Sequence, residues 1–215
     1  MVSPIGTYTT FVGSQELALP LMPITDTLAI ALLITVDHGV DFAAQAGAEI
    51  AARLVPFEPE VVASVATMGI PIAIEVSRAL GLDDYLILQK TPKIHLADAI
   101  SEPVRSITTD ATQRLLFDRE RLGAVVGRRV ALVDDVVSTG ASLKAALNLL
   151  RRVGAEPVVI GTLLTEAALW RETLGEDAAL VQSLGAIPLF RRGAAGIIDE
   201  DWVGDAEAVE GAGSS

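Results

Sequence analysis

The sequence predicts an α/β protein: a mostly parallel β-sheet flanked by helices, with a small β-hairpin projecting from it. Three observations carry that expectation. Short apolar runs alternate with helical periodicity from residue 28 to about residue 190, the order that builds a parallel sheet covered on both faces. The chain is 51% hydrophobic but only 4% aromatic, so Ala, Val, Leu and Ile build the interior, which suits helix-on-sheet layers better than an aromatic-rich sandwich. Two predicted strands also run into small-residue turns that contain glycine and open a helix. Such turns lie at strand C-termini, where ligands bind in sheets of this kind. At 215 residues the chain suits one domain with a proper core, expected over 1–204, with 205–215 as a disordered tail.

Taken in order, residues 1–23 are expected to be irregular apart from a short strand near 8–12. Residues 28–36 read as a buried strand, followed by a turn at Asp37-His38-Gly39. Phe42, Ala46, Ile50 and Leu54 recur at helical spacing and mark a core helix over 40–54. Residues 60–66 form a strand that enters Thr67-Met68-Gly69-Ile70-Pro71, with Pro71 at the first position of a helix that stops at Gly81. A short strand covers 85–89. Residues 91–118 are polar and partly alternating, with Val104, Ser106 and Thr108 answered by Gln113, Leu115 and Phe117, a hairpin with its turn near Thr109-Asp110. Residues 130–133 form another buried strand, and Leu143, Leu147 and Leu150 mark a helix that ends by Gly154. An apolar strand spans 156–164. Thr165-Glu166-Ala167 then begins a helix with Trp170 and Leu174 on one face, 185–190 is a last strand, and Asp199-Glu200-Asp201-Trp202 is an acidic end.

Composition narrows the chemistry. A formal net charge of −12 argues against nucleic acid as a bulk partner. Without cysteine there is no disulfide framework, thiol nucleophile or thiolate metal site. The clean apolar run at 28–36 is too short to span a bilayer, which needs about 20 residues. The N-terminus lacks a basic leader region, so a cytoplasmic address is expected.

The most informative stretch is 130–142, V-A-L-V-D-D-V-V-S-T-G-A-S. It reads as strand, acidic pair, small-residue loop, helix start. Such a loop aims backbone N–H groups and the positive end of a helix at one spot, which suits a phosphate. Gly140 lets the backbone come close, and Ser138, Thr139 and Ser142 add hydroxyl donors. Asp134 and Asp135 beside it would accept hydrogen bonds from neighbouring hydroxyls, so a 5-phosphoribosyl group fits. The alternative is an ordinary buried strand with a polar turn, but adjacent carboxylates at a strand end repel and cost stability unless something uses them. The loop at 66–69 repeats the geometry and is a second candidate anion site, although many such turns bind nothing. Lys90 and Lys93 are two of only three lysines and follow one short strand. They either neutralise a leaving anion or are a solubilising surface turn. His95 nearby reads as solvated rather than catalytic.

The 130–142 stretch resembles the phosphoribosyl-pyrophosphate (PRPP) motif of the type I phosphoribosyltransferases, closest to the adenine and xanthine enzymes. The likeness covers roughly 40–190 and is sharpest in that motif. It implies the family fold, with 91–118 as a mobile hood that closes over PRPP, and transfer of phosphoribosyl to a nucleobase with release of pyrophosphate. It implies that Val137, Ser138, Thr139, Gly140, Ala141 and Ser142 bind the 5′-phosphate, and that Ala66, Thr67, Met68, Gly69, Lys90 and Lys93 bind pyrophosphate. Asp134, Asp135 and Lys90 would be catalytic, with Mg²⁺ held indirectly by the two carboxylates. Glu166 occupies a place near the base, or is simply a helix N-terminal acid. The expected partners are PRPP and a nucleobase, in a homodimer. The chain departs from the pattern at Ala66 and Met68, where relatives of the adenine enzymes often carry Glu and Arg, and at Gln89, where an Arg is common. Ser138 stands where hypoxanthine–guanine enzymes place an Asp, which counts against that subgroup, while the hairpin after Lys90 and the single-domain layout with Glu166 resemble the adenine enzymes first and the xanthine enzymes second. Orotate is the runner-up, and a PRPP-sensing regulator without turnover is a rival of another class.

Overall fold

The computed structural model describes residues 3–92, 94, 98–104, 113–192 and 198–204. It opens with a hairpin: the short strand expected near 8–12 is present, and a second strand follows where the sequence suggests irregular structure. β1 (Thr7–Val12) and β2 (Gln15–Pro23) pair antiparallel around a two-residue turn in which Gly13 takes a φ of +60°. Leu17, Leu19 and Leu21 turn one face of β2 into the core, a strand period that Pro20 and Pro23 disguise. Glu49 of the following helix accepts the Ser14 backbone N–H at 3.0 Å and tethers the turn. β3 (Leu28–Ala31) is shorter than the predicted 28–36, because the chain leaves the sheet after Ala31 and makes a 3-10 turn at Thr35–His38.

The middle of the chain follows the expected alternation. α1 (Gly39–Leu54), β4 (Val61–Val65), α2 (Gly69–Leu80) and β5 (Tyr85–Leu88) come in turn. α2 begins two residues before Pro71, which still lies in the first turn, where its missing N–H costs no helical bond. β6 (Ile100–Pro103) and β7 (Arg114–Phe117) make the expected hairpin, although its first strand begins before Val104. Gln89 exchanges both backbone hydrogen bonds with Leu116, so the hairpin is rooted beside Lys90. The predicted turn at Thr109-Asp110 lies outside the described residues, as do Lys93, His95 and the 205–215 tail. α3 (Leu122–Val125), β8 (Arg129–Val137), α4 (Ala141–Arg152) and β9 (Glu156–Glu166) follow. Thr165 and Glu166 continue β9, and α5 starts only at Leu169 (Leu169–Leu174), so Glu166 is not a helix N-terminal acid. The predicted strand at 185–190 is in fact two strands in different sheets: β10 (Val181–Ile187) and β11 (Leu189–Arg192) separate at Pro188. The acidic end is β12 (Ile198–Asp201).

The parallel sheet has the order β10-β9-β8-β4-β5. Period-2 alternation splits each central strand between two cores. Val62, Ala131 and Val133 pack with α1 and α2, while Val61, Ala63, Val130 and Leu132 pack with α4. The strand order reverses between β4 and β8, which opens a crevice at their C-terminal ends. A second sheet, β1-β2-β3-β11-β12, is antiparallel and joins both ends of the described chain. No helix among the described residues is long and apolar enough to cross a membrane.

α4 is pinned from its far side. Asp177 accepts from Lys144 and Arg151, and chiefly the Arg151 hydrogen bond, with help from Lys144, lowers its carboxyl to about 2. A depressed carboxyl stabilises the fold above its unfolded value, and that stability is lost as pH falls through the folded value. Asp177→Asn should therefore cost roughly 1–2 kcal/mol at neutral pH. The gap between variant and parent should close as pH falls toward about 2, read from urea midpoints across pH.

Candidate active site

Asp134 and Asp135 lie within β8 rather than capping it, since pairing with β9 continues to Val137↔Thr165. Asp135 donates its backbone N–H to Asp134 Oδ1 at 3.0 Å. Asp134 keeps some exposed area where the cavity opens, but its carboxyl is desolvated. That burial, reinforced by the Asp135 carboxylate, pushes it well above the usual carboxylate range, and the Lys90 charge opposes the shift.

The turn after β8 is shaped for an anion. Gly140 sits at φ +79° as the N-cap of α4, and a Cβ built there would approach Trp170 backbone atoms at 3.2 Å, so both conformation and packing select glycine. The Thr139 hydroxyl accepts the Ala141 N–H at 3.4 Å. Beyond it, the first turn of α4 lies on the cavity wall with its unpaired amides and positive dipole end. Facing it is the β4–α2 loop, whose Ala66–Thr67 peptide is cis. Residues 66–68, Lys90 and residues 134–142 together line one cavity of about 250 Å³. Gly69 lies behind this loop instead. A Cβ there would fall 2.3 Å from Ser64 Oγ and 2.9 Å from Asp134 Oδ1, so glycine is a packing requirement of the pair.

Two supporting residues escaped the sequence reading. Thr35 is 1% exposed and donates its hydroxyl to the Met68 carbonyl at 2.9 Å, which holds the second loop from the 3-10 turn after β3. The only signal for it was a polar residue inside the apolar run 28–36. Ser64, fully buried beneath that loop, has a hydroxyl with no partner among the described residues.

A second cavity, of about 440 Å³, shares Met68, Asp135, Val136 and Ser138 with the first. Its remaining wall is aliphatic: Leu28, Ile30, Ala31 and Leu189 come from the antiparallel sheet, and Ile24 and residues 32–34 from the segments that flank β3. Glu166 closes the shared end. It is 6% exposed and accepts the Ser138 hydroxyl at 2.5 Å, and burial raises its carboxyl despite that bond. The Ser138 hydroxyl thus donates to Glu166, not to the anion turn where the sequence places it as a donor. The walls of this cavity come from segments near the two ends of the described chain, residues 24–34 and Leu189.

The sequence comparisons converge on one family. Residues 41–181 match the phosphoribosyl transferase domain. The xanthine phosphoribosyltransferase of Chloroflexus aurantiacus is 26% identical over 164 residues, spanning 74% of this chain and 73% of that protein. The orotate phosphoribosyltransferase of Methanoculleus marisnigri is 33% identical over 128 residues, 59% of this chain and 62% of that one. In fold, the chain is similar to adenine phosphoribosyltransferase from Rhodothermus marinus, with a TM-score of 0.59 at 19% identity over 85% of this chain and 94% of that one. With its family match running from α1 into the start of β10, through the anion turn and the carboxylate pair, the chain belongs to the phosphoribosyl transferase domain family.

Proposed function

We propose that the chain transfers phosphoribosyl from PRPP to a purine, adenine first and xanthine second, forming a nucleoside 5′-monophosphate and pyrophosphate. Phosphoribosyl transfer to a purine or pyrimidine base is the coarser activity that the family and its relatives support. One observation carries the reading: a polar cavity between two anion loops meets an apolar cavity at Asp135, so phosphate, sugar and base each have a matching neighbour.

In this reading residues 137–142 hold the 5′-phosphate with main-chain N–H groups and the α4 N-terminus. Asp134 and Asp135 accept from the ribose hydroxyls and favour the positive charge that builds on the sugar as the anomeric C–O bond breaks. The electron pair leaves with pyrophosphate, which the amides at 66–68 and Lys90 receive, with Lys93 as a further expected cation. A ring nitrogen of the base forms the new C–N bond and gives up its proton. Positioning and electrostatics supply the rate, with no covalent nucleophile. Asp134 and Asp135 are hard oxygen donors that suit Mg²⁺. Among the described residues no three His, Cys, Asp or Glu side chains gather to cage an ion, so the pair would hold it through water and ribose hydroxyls, and its chemistry would be charge neutralisation on pyrophosphate. The reading carries with it a homodimer and a cytoplasmic address, as in the family.

Orotate is the second reading, favoured by the 33% identical relative. Against it, the orotate carboxylate would sit unpaired between buried Glu166 and aliphatic walls.

Pyrophosphate release from PRPP and Mg²⁺ across a panel of bases tests the reading, with adenine expected to give the highest rate. Tight PRPP binding with no release for any base would favour a regulator. Asp134→Asn combined with Asp135→Asn should cut turnover by about 10²-fold or more while circular dichroism stays parental. Parental rates would refute the role of the pair. For Glu166, burial raises the folded carboxyl above its ordinary value of 4.5, so ionisation at higher pH works against the fold. The parent should therefore lose stability relative to Glu166→Gln as pH rises above 4.5, measured as urea midpoints. A pH-independent difference would mean that folding leaves the Glu166 carboxyl unshifted.

A further inference from the structure

The base-side cavity is larger and less polar than a plain purine needs. It measures about 440 Å³, whereas a purine displaces roughly five waters, about 150 Å³ at ~30 Å³ each. Its polar groups gather at one end. Asp135 and Ser138 belong to the wall shared with the phosphate cavity, and Glu166 is bonded to Ser138. The rest of the lining, the aliphatic end, is built by Ile24, Leu28, Ile30, Leu33, Ile34 and Leu189, and among the described residues it holds no aromatic ring, cation or amide side chain. A base seated with its ribosyl nitrogen near Asp135 points its opposite edge at this aliphatic end. Carbonyl or N–H groups on that edge would be desolvated without a side-chain partner. An alkyl or aryl group there would exchange water for apolar contact.

We propose that the acceptor is an aminopurine or related azole that carries an apolar alkyl or aryl substituent on the edge remote from the ribosyl nitrogen, with Ile30 as a specificity-determining residue. The inference rests on the phosphoribosyl-transfer reading and adds no new chemical step. Ile30 lies in the middle of β3, facing Leu189 across the strand pair, so both sides of the aliphatic end meet at this residue.

The test compares adenine with benzyladenine, substituted on its exocyclic amine, and measures calorimetric affinity for the 5′-monophosphate of each with the full chain. The benzylated nucleotide should bind about tenfold more tightly than AMP or better, and benzyladenine should exceed adenine in kcat/KM for pyrophosphate release. Ile30→Phe, which fills the aliphatic end, should bring the ratio of the two affinities toward one. Equal or weaker binding of the benzylated nucleotide, alongside adenine turnover, overturns this inference and leaves phosphoribosyl transfer standing. Failure of both nucleotides to bind, with no pyrophosphate release, removes the underlying reading and this one together. A substituent preference that survives Ile30→Phe overturns the placement of the substituent.

Discussion

Two carboxyl groups on consecutive residues of one central strand set the terms for everything around them. Side by side and partly desolvated, Asp134 and Asp135 repel, and burial holds the Asp134 carboxyl toward its neutral form. A central parallel strand ordinarily carries an unbroken apolar run. Here the run ends at Val133, while hydrogen bonding with β9 continues to Val137. The backbone of the pair is therefore held by the sheet, and both side chains line the cavity. Such an arrangement destabilises the fold unless it is matched by a ligand that presents hydroxyls or positive charge, which is the environment of a developing ribosyl cation.

The surroundings answer that constraint from two directions. The parallel sheet reverses its strand order between β4 and β8 and delivers two candidate anion loops to the same crevice. Lys90 arrives from the end of β5, beside the point where Gln89 anchors the hairpin. Gly69 allows the second loop to settle against Ser64 and Asp134, and Thr35 holds it by the Met68 carbonyl. The antiparallel sheet supplies the other side. With the segments that flank β3 it supplies a wall of Leu and Ile and almost no charge, so this half of the site has a low dielectric. The Ser138–Glu166 hydrogen bond lies where the two cavities meet, and both its partners come from the parallel sheet: Ser138 follows β8 and Glu166 ends β9.

Local chemistry made much of this visible in advance. The strand, acidic pair, glycine turn and helix start at 130–142 are contiguous, and each is dictated by near neighbours: apolar run, φ-positive glycine, helical spacing of Leu143, Leu147 and Leu150. The same holds for α2, which ends at a left-handed Gly81, and for α1, with its regular apolar face. The alternation of these units was enough to establish a parallel sheet.

What the chain alone could not disclose depends on residues far apart in sequence. The β2 strand was masked because its prolines read as breakers, yet its pairing geometry tolerates them at the positions they occupy. Glu166 looked like the start of a helix, and only the register of β9 against β8 and β10 carries it onward as buried strand. Ile30 and Leu189 lie 159 positions apart and meet only because β11 returns to pair with β3. Sequence by itself determined the anion turn, the carboxylate pair and the layered α/β class, since those follow from propensity and backbone conformation. The base-side cavity, its aliphatic lining and the Ser138–Glu166 bond were decided by tertiary structure, since long-range strand pairing and burial bring their parts together.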